Sequence, residues 1–235
     1  PGRNGLQPDL ALIYNSQNTD NDNIFGYGWS INIPYIERLN KKGVNNLYYE
    51  DFFNSSSDGE LKNTTLSGTY GKYGAKIENG EFLQYEYKTN NSWEAIDKNG
   101  TIYKFGLTTQ SRQDNPNDNT KIFKWMLEEI RDPNDNFIKY EYLKEDGQIY
   151  PAKIKYTGNG IVDGFTSVEF NKVERNDKNI SYKAGFKINT KYLISSIIKK
   201  NGNDTTSQRY DFEYKSGDNG KRSVLSKITE QGSHP

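Results

Sequence analysis

Apolar residues in this chain recur at every second position, in short runs separated by turn dipeptides. Leu83, Tyr85 and Tyr87 share one parity while Gln84 and Glu86 take the other, the signature of a strand with one buried face. Before them, Ile77-Glu78-Asn79-Gly80 predicts a hairpin turn of type I′, because Asn-Gly tolerates the positive φ values that turn demands. Residues 93–105 repeat the idea around Asn99-Gly100, and residues 130–142 around Asp132-Pro133-Asn134-Asp135-Asn136, with Ile138, Tyr140 and Tyr142 in phase. Tyr210, Phe212 and Tyr214 alternate near the end, and Tyr192 to Ile198 reads as one buried strand.

Helical signal is scarce. In residues 122–130, Ile122, Trp125, Met126 and Ile130 fit a helical face, whereas Phe123, Trp125 and Leu127 fit a strand; the β neighbourhood favours the strand. Residues 54–58, 110–119 and 171–179 read as polar loops, and none is a Gly/Ser-rich or Pro-rich tether. The pattern predicts a single all-β domain over residues 1–235, in which antiparallel hairpins form a large curved sheet with little or no helix.

Composition sharpens this picture. Only 32% of residues are hydrophobic, but 18 Tyr, 11 Phe and 3 Trp supply large buried area per residue and favour pleated surfaces, which argues against disorder. The expectation is a thin core whose sheet faces are partly wet. The 31 basic and 31 acidic residues are interspersed, without the basic stripe of a nucleic-acid binder. No apolar run is long enough to span a bilayer, so direct membrane insertion is not expected. Pro1 stands where an initiator Met would be, and no signal-peptide pattern follows it, so the chain is expected to be a piece of a longer protein. The Asn-x-Ser/Thr sequons at Asn54, Asn63, Asn90, Asn99, Asn179 and Asn203 are expected by chance in an Asn-rich chain.

The residue inventory leaves little room for catalysis. The absence of Cys removes disulfides, thiol nucleophiles and Cys-ligated metals, and the one histidine, His234, stands next to last. Ser-His-Asp chemistry and His-ligated metals are therefore excluded. Glu128 and Glu129 are adjacent, so on a strand they face opposite sides and cannot form a facing glycosidase pair. Asp132 to Asn136 matches the first ligand positions of an EF-hand loop, but Phe137 stands where Gly is needed and Leu143 where the bidentate Glu belongs. An Asx-rich turn is the better reading. Asp20-Asn21-Asp22 is a weaker case of the same kind, and Gly26-Tyr27-Gly28-Trp29 lacks the third Gly of a dinucleotide fingerprint. No catalytic, cofactor-binding or metal-ligating residue is assigned, and the chain is not expected to be an enzyme.

The opening Pro1-Gly2-Arg3-Asn4-Gly5-Leu6-Gln7-Pro8-Asp9-Leu10-Ala11-Leu12-Ile13-Tyr14-Asn15-Ser16, followed by Phe25-Gly26-Tyr27-Gly28-Trp29, resembles the start of the SpvB domain family, with its pattern PGRxGLxPxLxLxYxS and then GxGW. Lys124 to Asp132 followed by Asn136 to Tyr142 resembles the family segment WxLxxIxDxNGNxIxYxY. Here Asp135 stands where that segment has Gly, so a different turn is expected. Tyr150-Pro151 to Tyr156, Val168 to Phe170, Arg175-Asn176-Asp177, Ser181 to Phe186, Leu193 to Ile197 and Arg222 to Leu225 with Gly232 follow in family order. The hairpins also resemble YD/Rhs repeats.

The family also forms the start of Tc insecticidal toxin B subunits. The resemblance implies a non-catalytic structural and delivery module of a secreted bacterial toxin, made in the cytoplasm. It would form part of a β shell that encloses and delivers a C-terminal toxic fragment. Its implied partners are the downstream YD/Rhs shell, that cargo and a pore-forming A component. The transferase of the Salmonella protein belongs to a separate C-terminal domain, and no catalytic residue is carried over. The alternative reading is a surface adhesin or carbohydrate-binding β module that uses exposed aromatics. The aromatic and glycine positions of residues 25–29 are expected to be a structural signature.

Overall fold

A computed structural model describes residues 2–18, 23–65, 68–78, 80, 82–202, 204–218 and 222–232. His234, Asp20-Asn21-Asp22, Asn79 and Asn203 lie outside the described residues.

The chain is almost entirely strand. A short pair, β1 (Leu12–Tyr14) and β2 (Trp29–Ile31), stands apart from one large antiparallel sheet. That sheet begins with β3 (Tyr35–Arg38), β4 (Phe53–Ser55), β5 (Gly59–Asn63), β6 (Gly71–Ala75), β7 (Gln84–Tyr87), β8 (Trp93–Ile96) and β9 (Ile102–Phe105), each paired with the next. Next come β10 (Arg112–Asn115) and the long β11 (Asp118–Arg131). Then follow β12 (Asn136–Glu145), β13 (Gln148–Asn159), β14 (Thr166–Ser181), β15 (Ile188–Lys200), β16 (Thr206–Ser216) and β17 (Ser223–Gly232) as a meander. Two single-turn 3-10 helices, at Val44–Asn46 and Thr109–Ser111, complete the secondary structure.

Strand β11 organises the rest. Its Lys124–Met126 stretch pairs with β3, and Leu127 to Arg131 pairs with β9, so β3 to β9 and β11 close into a barrel. The outer meander leaves from Glu129–Arg131, where β11 carries β9 on one edge and β12 on the other. The sheet expected from the sequence is therefore a barrel with a curled wing. Closure abolishes edges within the ring.

The barrel core is aromatic rather than aliphatic. Trp93 and Trp125 are 0% exposed, and Phe53, Tyr73 and Tyr87 pack around Trp93 at ring distances of 4.6–5.0 Å. Edge-to-face and stacked rings add to the burial term. Tyrosines can serve here because their buried hydroxyls find partners: Tyr142 donates to Leu127 O, Tyr73 to Thr69 O and Tyr85 to Asp58. Burial pushes the phenols of Tyr73 and Tyr87 up to about 12.

The outward faces are ionic. Lys104 pairs with Glu129, Lys155 with Glu141, and Glu169 with both Lys153 and Lys200 across neighbouring strands. These cross-strand pairs account for the balanced, interspersed charge.

Most predicted hairpins are present. Asp97 builds the β8–β9 turn by accepting the backbone N–H of Asn99 and Thr101. Ile138, Tyr140 and Tyr142 all point inward from β12, and residues 122–130 are strand. Two expectations need correction. The β6–β7 connection is longer than a two-residue type I′ turn, because Tyr73 pairs with Tyr85 and the strands stop at Ala75 and Gln84. Two of the three polar stretches are largely strand, since residues 112–115 form β10 against β11 and residues 171–179 lie within β14, whereas residues 56–58 form the expected turn between β4 and β5. Some of their polar side chains are buried on neutral partners, as Gln113 on Gln148, and pairing with distant strands supplies what local propensity does not.

Candidate functional site

Three segments of the chain converge on the inner side of the curled wing. The first is the N-terminal strap, residues 2–18 and 23–33, which packs on the apolar face of the meander. Its alternating Leu6, Leu10 and Leu12 pack on the main core, as does Ile24 further on.

The signature Phe25-Gly26-Tyr27-Gly28-Trp29 lies against β15, β16 and β17. Ile194 N donates to Ile24 O at 2.8 Å, and Tyr27 N donates to Ser223 O at 2.9 Å. Phe25 meets Phe212 edge to face at 5.6 Å, and the Arg222 guanidinium lies 4.4 Å from the Tyr27 ring centroid. Both glycines are required by geometry. Gly26 has φ +84, and a Cβ there would meet Ser223 O at 3.0 Å. Gly28 has φ +78, and its Cβ would meet the Tyr14 ring at 2.6 Å.

The second segment is a wide bulge in β14. Glu174 pairs with Tyr192, but the next register partner of β15 is Asn179, with Thr190, so residues 175–178 bow out of the ladder. Arg175 and Asp177 share one face of that bulge and form a forked ion pair, with Nε to Oδ1 at 2.9 Å and Nη2 to Oδ2 at 3.0 Å. The pair reaches both neighbours. Arg175 Nη1 donates to Asn23 O in the strap at 3.2 Å, while Ser223 at the start of β17 donates its N–H and its hydroxyl to Asp177, each at 2.5 Å. Side-chain exposure is 4% for Arg175 and 16% for Asp177. Burial alone would raise the Asp177 carboxyl, but the hydrogen bonds from Arg175 and Ser223 outweigh it and hold the group down at about 2. A groove of about 670 Å³ opens beside this clamp, lined among others by Val173, Leu193, Lys215 and Arg222.

The third segment, residues 182–187, reaches back to the barrel. Ala184, Phe186 and Ile188 form a second small core with Leu47 and Phe123, and Tyr48 donates its hydroxyl to Ala184 O at 2.5 Å. A buried amide relay adds a further tie. Gln113 of β10 donates to Gln148 of β13 at 3.1 Å, and Gln148 donates to Thr190 of β15 at 2.8 Å.

The other candidate residues stay apart. Glu128 accepts Thr108 N and the Ser111 hydroxyl, whereas Glu129 accepts Lys104 and Arg131, so the two carboxylates serve opposite sides of β11. Asp132 receives the backbone N–H of Asn134 and Asn136 and the Asn136 side-chain amide at 2.8–2.9 Å. Those donors occupy the oxygens an EF-hand would offer to a cation. Asp135 adopts φ +64 at the position where the family segment has Gly, and Arg131 pairs with it at 3.0 Å. Among the described residues no group of three or more His, Cys, Asp or Glu could hold a metal, and no helix is long and apolar enough to cross a membrane. The arrangement acts as a joint that fixes strands relative to one another.

Comparison with known proteins bears on the whole arrangement. A family model described as Salmonella virulence plasmid 65kDa B protein matches residues 1–182. The mono(ADP-ribosyl)transferase SpvB of Salmonella typhimurium is 30% identical, over 61% of this chain and 28% of that protein, and the Salmonella choleraesuis protein matches equally. This chain thus spans well under a third of the curated relatives it matches. In fold it is similar to the N-terminal domain of effector protein SpvB from Salmonella typhimurium strain LT2, with a TM-score of 0.83 at 20% identity, covering 98% of this chain and 95% of that one. It is similar as well to part of a TcdB2-TccC3 structure, with a TM-score of 0.80 at 21% identity, covering 97% of this chain and 15% of that one. A Photorhabdus luminescens Tc holotoxin pore gives the same TM-score, 0.80, over 97% of this chain and 14% of that one.

Proposed function

The chain belongs to the Salmonella virulence plasmid B protein family (SpvB), and from that membership we propose that it is a non-catalytic wall module of a secreted bacterial toxin. In this reading it begins a β shell that encloses and delivers a toxic C-terminal fragment of its parent protein or of a partner chain, and the assembly docks onto a pore-forming component.

The observation that supports this reading is the outer edge of β17. Ser223–Gly232 pairs with β16 on one side and, among the described residues, with nothing on the other. An extended strand with one bare edge is a template for a further strand. A wall also needs one sealed and one solvated face. The strap seals the apolar face of the wing, while Glu169 with Lys153 and Lys200 carries the ionic one. Transferase chemistry, which names the Salmonella relative, is placed in this reading in a part of the parent beyond the matched segment.

The test uses the full-length parent protein. Limited proteolysis of the native particle should leave the C-terminal fragment intact until denaturant opens the particle. A C-terminal fragment digested at the rate of a free peptide would overturn the shell reading. The chain itself, incubated with NAD and a protein acceptor, should transfer no ADP-ribose; transfer would overturn the non-catalytic assignment.

A further inference from the structure

The barrel and the end of the wing are held by different means. Within the barrel ring every strand is paired on both sides, and the core beneath holds fully buried rings such as Phe53, Trp93 and Trp125. Strands β16 and β17 have no such support. Phe212 is the one buried residue of β16, and β17 has none. Beyond their ladder, they are fixed by the partly buried Tyr210, Tyr214 and Leu225 and by the joint: Phe25 on Phe212, Tyr27 N–H on Ser223 O, Tyr214 hydroxyl on Ile194 O at 2.6 Å, and Ser223 on Asp177. Among the described residues the strap in turn makes no ladder with the large sheet, and it takes its middle anchor from the same groups. Proteins open in cooperative units set by such local differences in burial and bonding.

We propose that the strap, β16 and β17 form a latched flap: the Asp177–Ser223 bond fastens β17 to the bulge of β14, the Phe25–Phe212 contact locks the strap onto β16, and the three open together while the barrel stays closed. Opening exposes the outer edge of β15 and the apolar groove occupied by Ile24 and Phe25. The two halves of the latch come from opposite ends of the chain, so releasing either frees both. The inference stands on contacts inside this chain and does not depend on the shell reading.

Hydrogen exchange with mass spectrometry on the whole chain tests it. In the unmodified protein, amides of residues 206–216, 223–232 and 24–31 should share one opening rate, faster than those of β4 to β9. Ser223→Ala keeps the Arg175–Asp177 pair and the ladder but removes a latch bond. It should speed exchange in both the strap and β16–β17 by on the order of tenfold, with barrel peptides unchanged. Phe25→Leu, which weakens the other half of the latch, should give the same regional pattern. Equal acceleration of barrel peptides in either variant would show a single cooperative unit and overturn the proposal. So would acceleration confined to the peptide that carries the substitution.

Discussion

Replacing Asp177 by Asn changes the shape of one side chain hardly at all, yet it removes the charge on which four donors converge. In the native protein the carboxylate accepts two N–H groups from Arg175 and both the N–H and the hydroxyl of Ser223. Two independent routes give the size of the loss. A carboxyl held at about 2 instead of 3.8 is worth roughly 2 kcal/mol of folding free energy at neutral pH. Removing one partner of a buried ion pair costs about 3–5 kcal/mol, because the other charge is left uncompensated; Arg175 is the more buried partner, and part of the loss is recovered by the amide oxygen of Asn. D177N should therefore destabilise the protein by about 2–4 kcal/mol at pH 7.

The pH dependence follows from the same numbers. The folded value lies below the unfolded one, so the stabilisation is complete above about 4 and is lost as pH falls through about 2. Urea unfolding of both proteins between pH 7 and pH 2 measures it. The gap between them should hold constant down to about pH 4 and then narrow. A gap below about 0.5 kcal/mol at pH 7, or one that does not narrow in acid, would refute the reasoning.

Four further outcomes follow from the structure. Gly28→Ala forces a Cβ at φ +78 into the Tyr14 ring and should cost about 1–3 kcal/mol in thermal or urea unfolding. Trp125→Phe should be more damaging than Trp93→Phe. Trp125 Nε1 donates to Asn91 O at 2.8 Å, whereas Trp93 Nε1 has no hydrogen-bond partner, so the difference between the two losses should be about 1 kcal/mol. Burial holds the Tyr73 and Tyr87 phenols protonated up to about 12; the unfolded phenols ionise near 10, so stability should fall as pH rises above that point, with the ultraviolet signal of these tyrosines appearing together with unfolding. Asp132→Ala removes three turn hydrogen bonds and should cost about 1–3 kcal/mol, while millimolar calcium added to the unmodified protein should leave its melting temperature unchanged.

Alternation was legible wherever a strand has one wet face. Ile138, Tyr140 and Tyr142 could be assigned to a common buried face from the sequence alone, and they occupy it. Barrel closure was not legible, since it depends on Leu127 to Arg131 pairing with β9 while the same strand also carries β12. No local pattern encodes a forked edge. The polar stretches failed for a related reason. Asn171 is in β14 because its neighbours pair with β15 and its amide meets Ser196, a partner 25 residues away. The joint was visible only as motifs. Arg175 and Asp177, two apart, could be read as sharing a strand face, but the bulge and Ser223 lie beyond what spacing reveals. Phe25 to Trp29 signalled its tight backbone through its glycines, without indicating which strands it would press against.

The proposed shell requires that the wall continue beyond β17. Electron cryomicroscopy of the full-length parent protein tests it most directly. A shell wall should show a further strand paired antiparallel to residues 223–232 and a closed lumen beyond it that holds the C-terminal fragment. A β17 edge facing solvent in the complete protein, with no enclosed space behind it, would contradict the account.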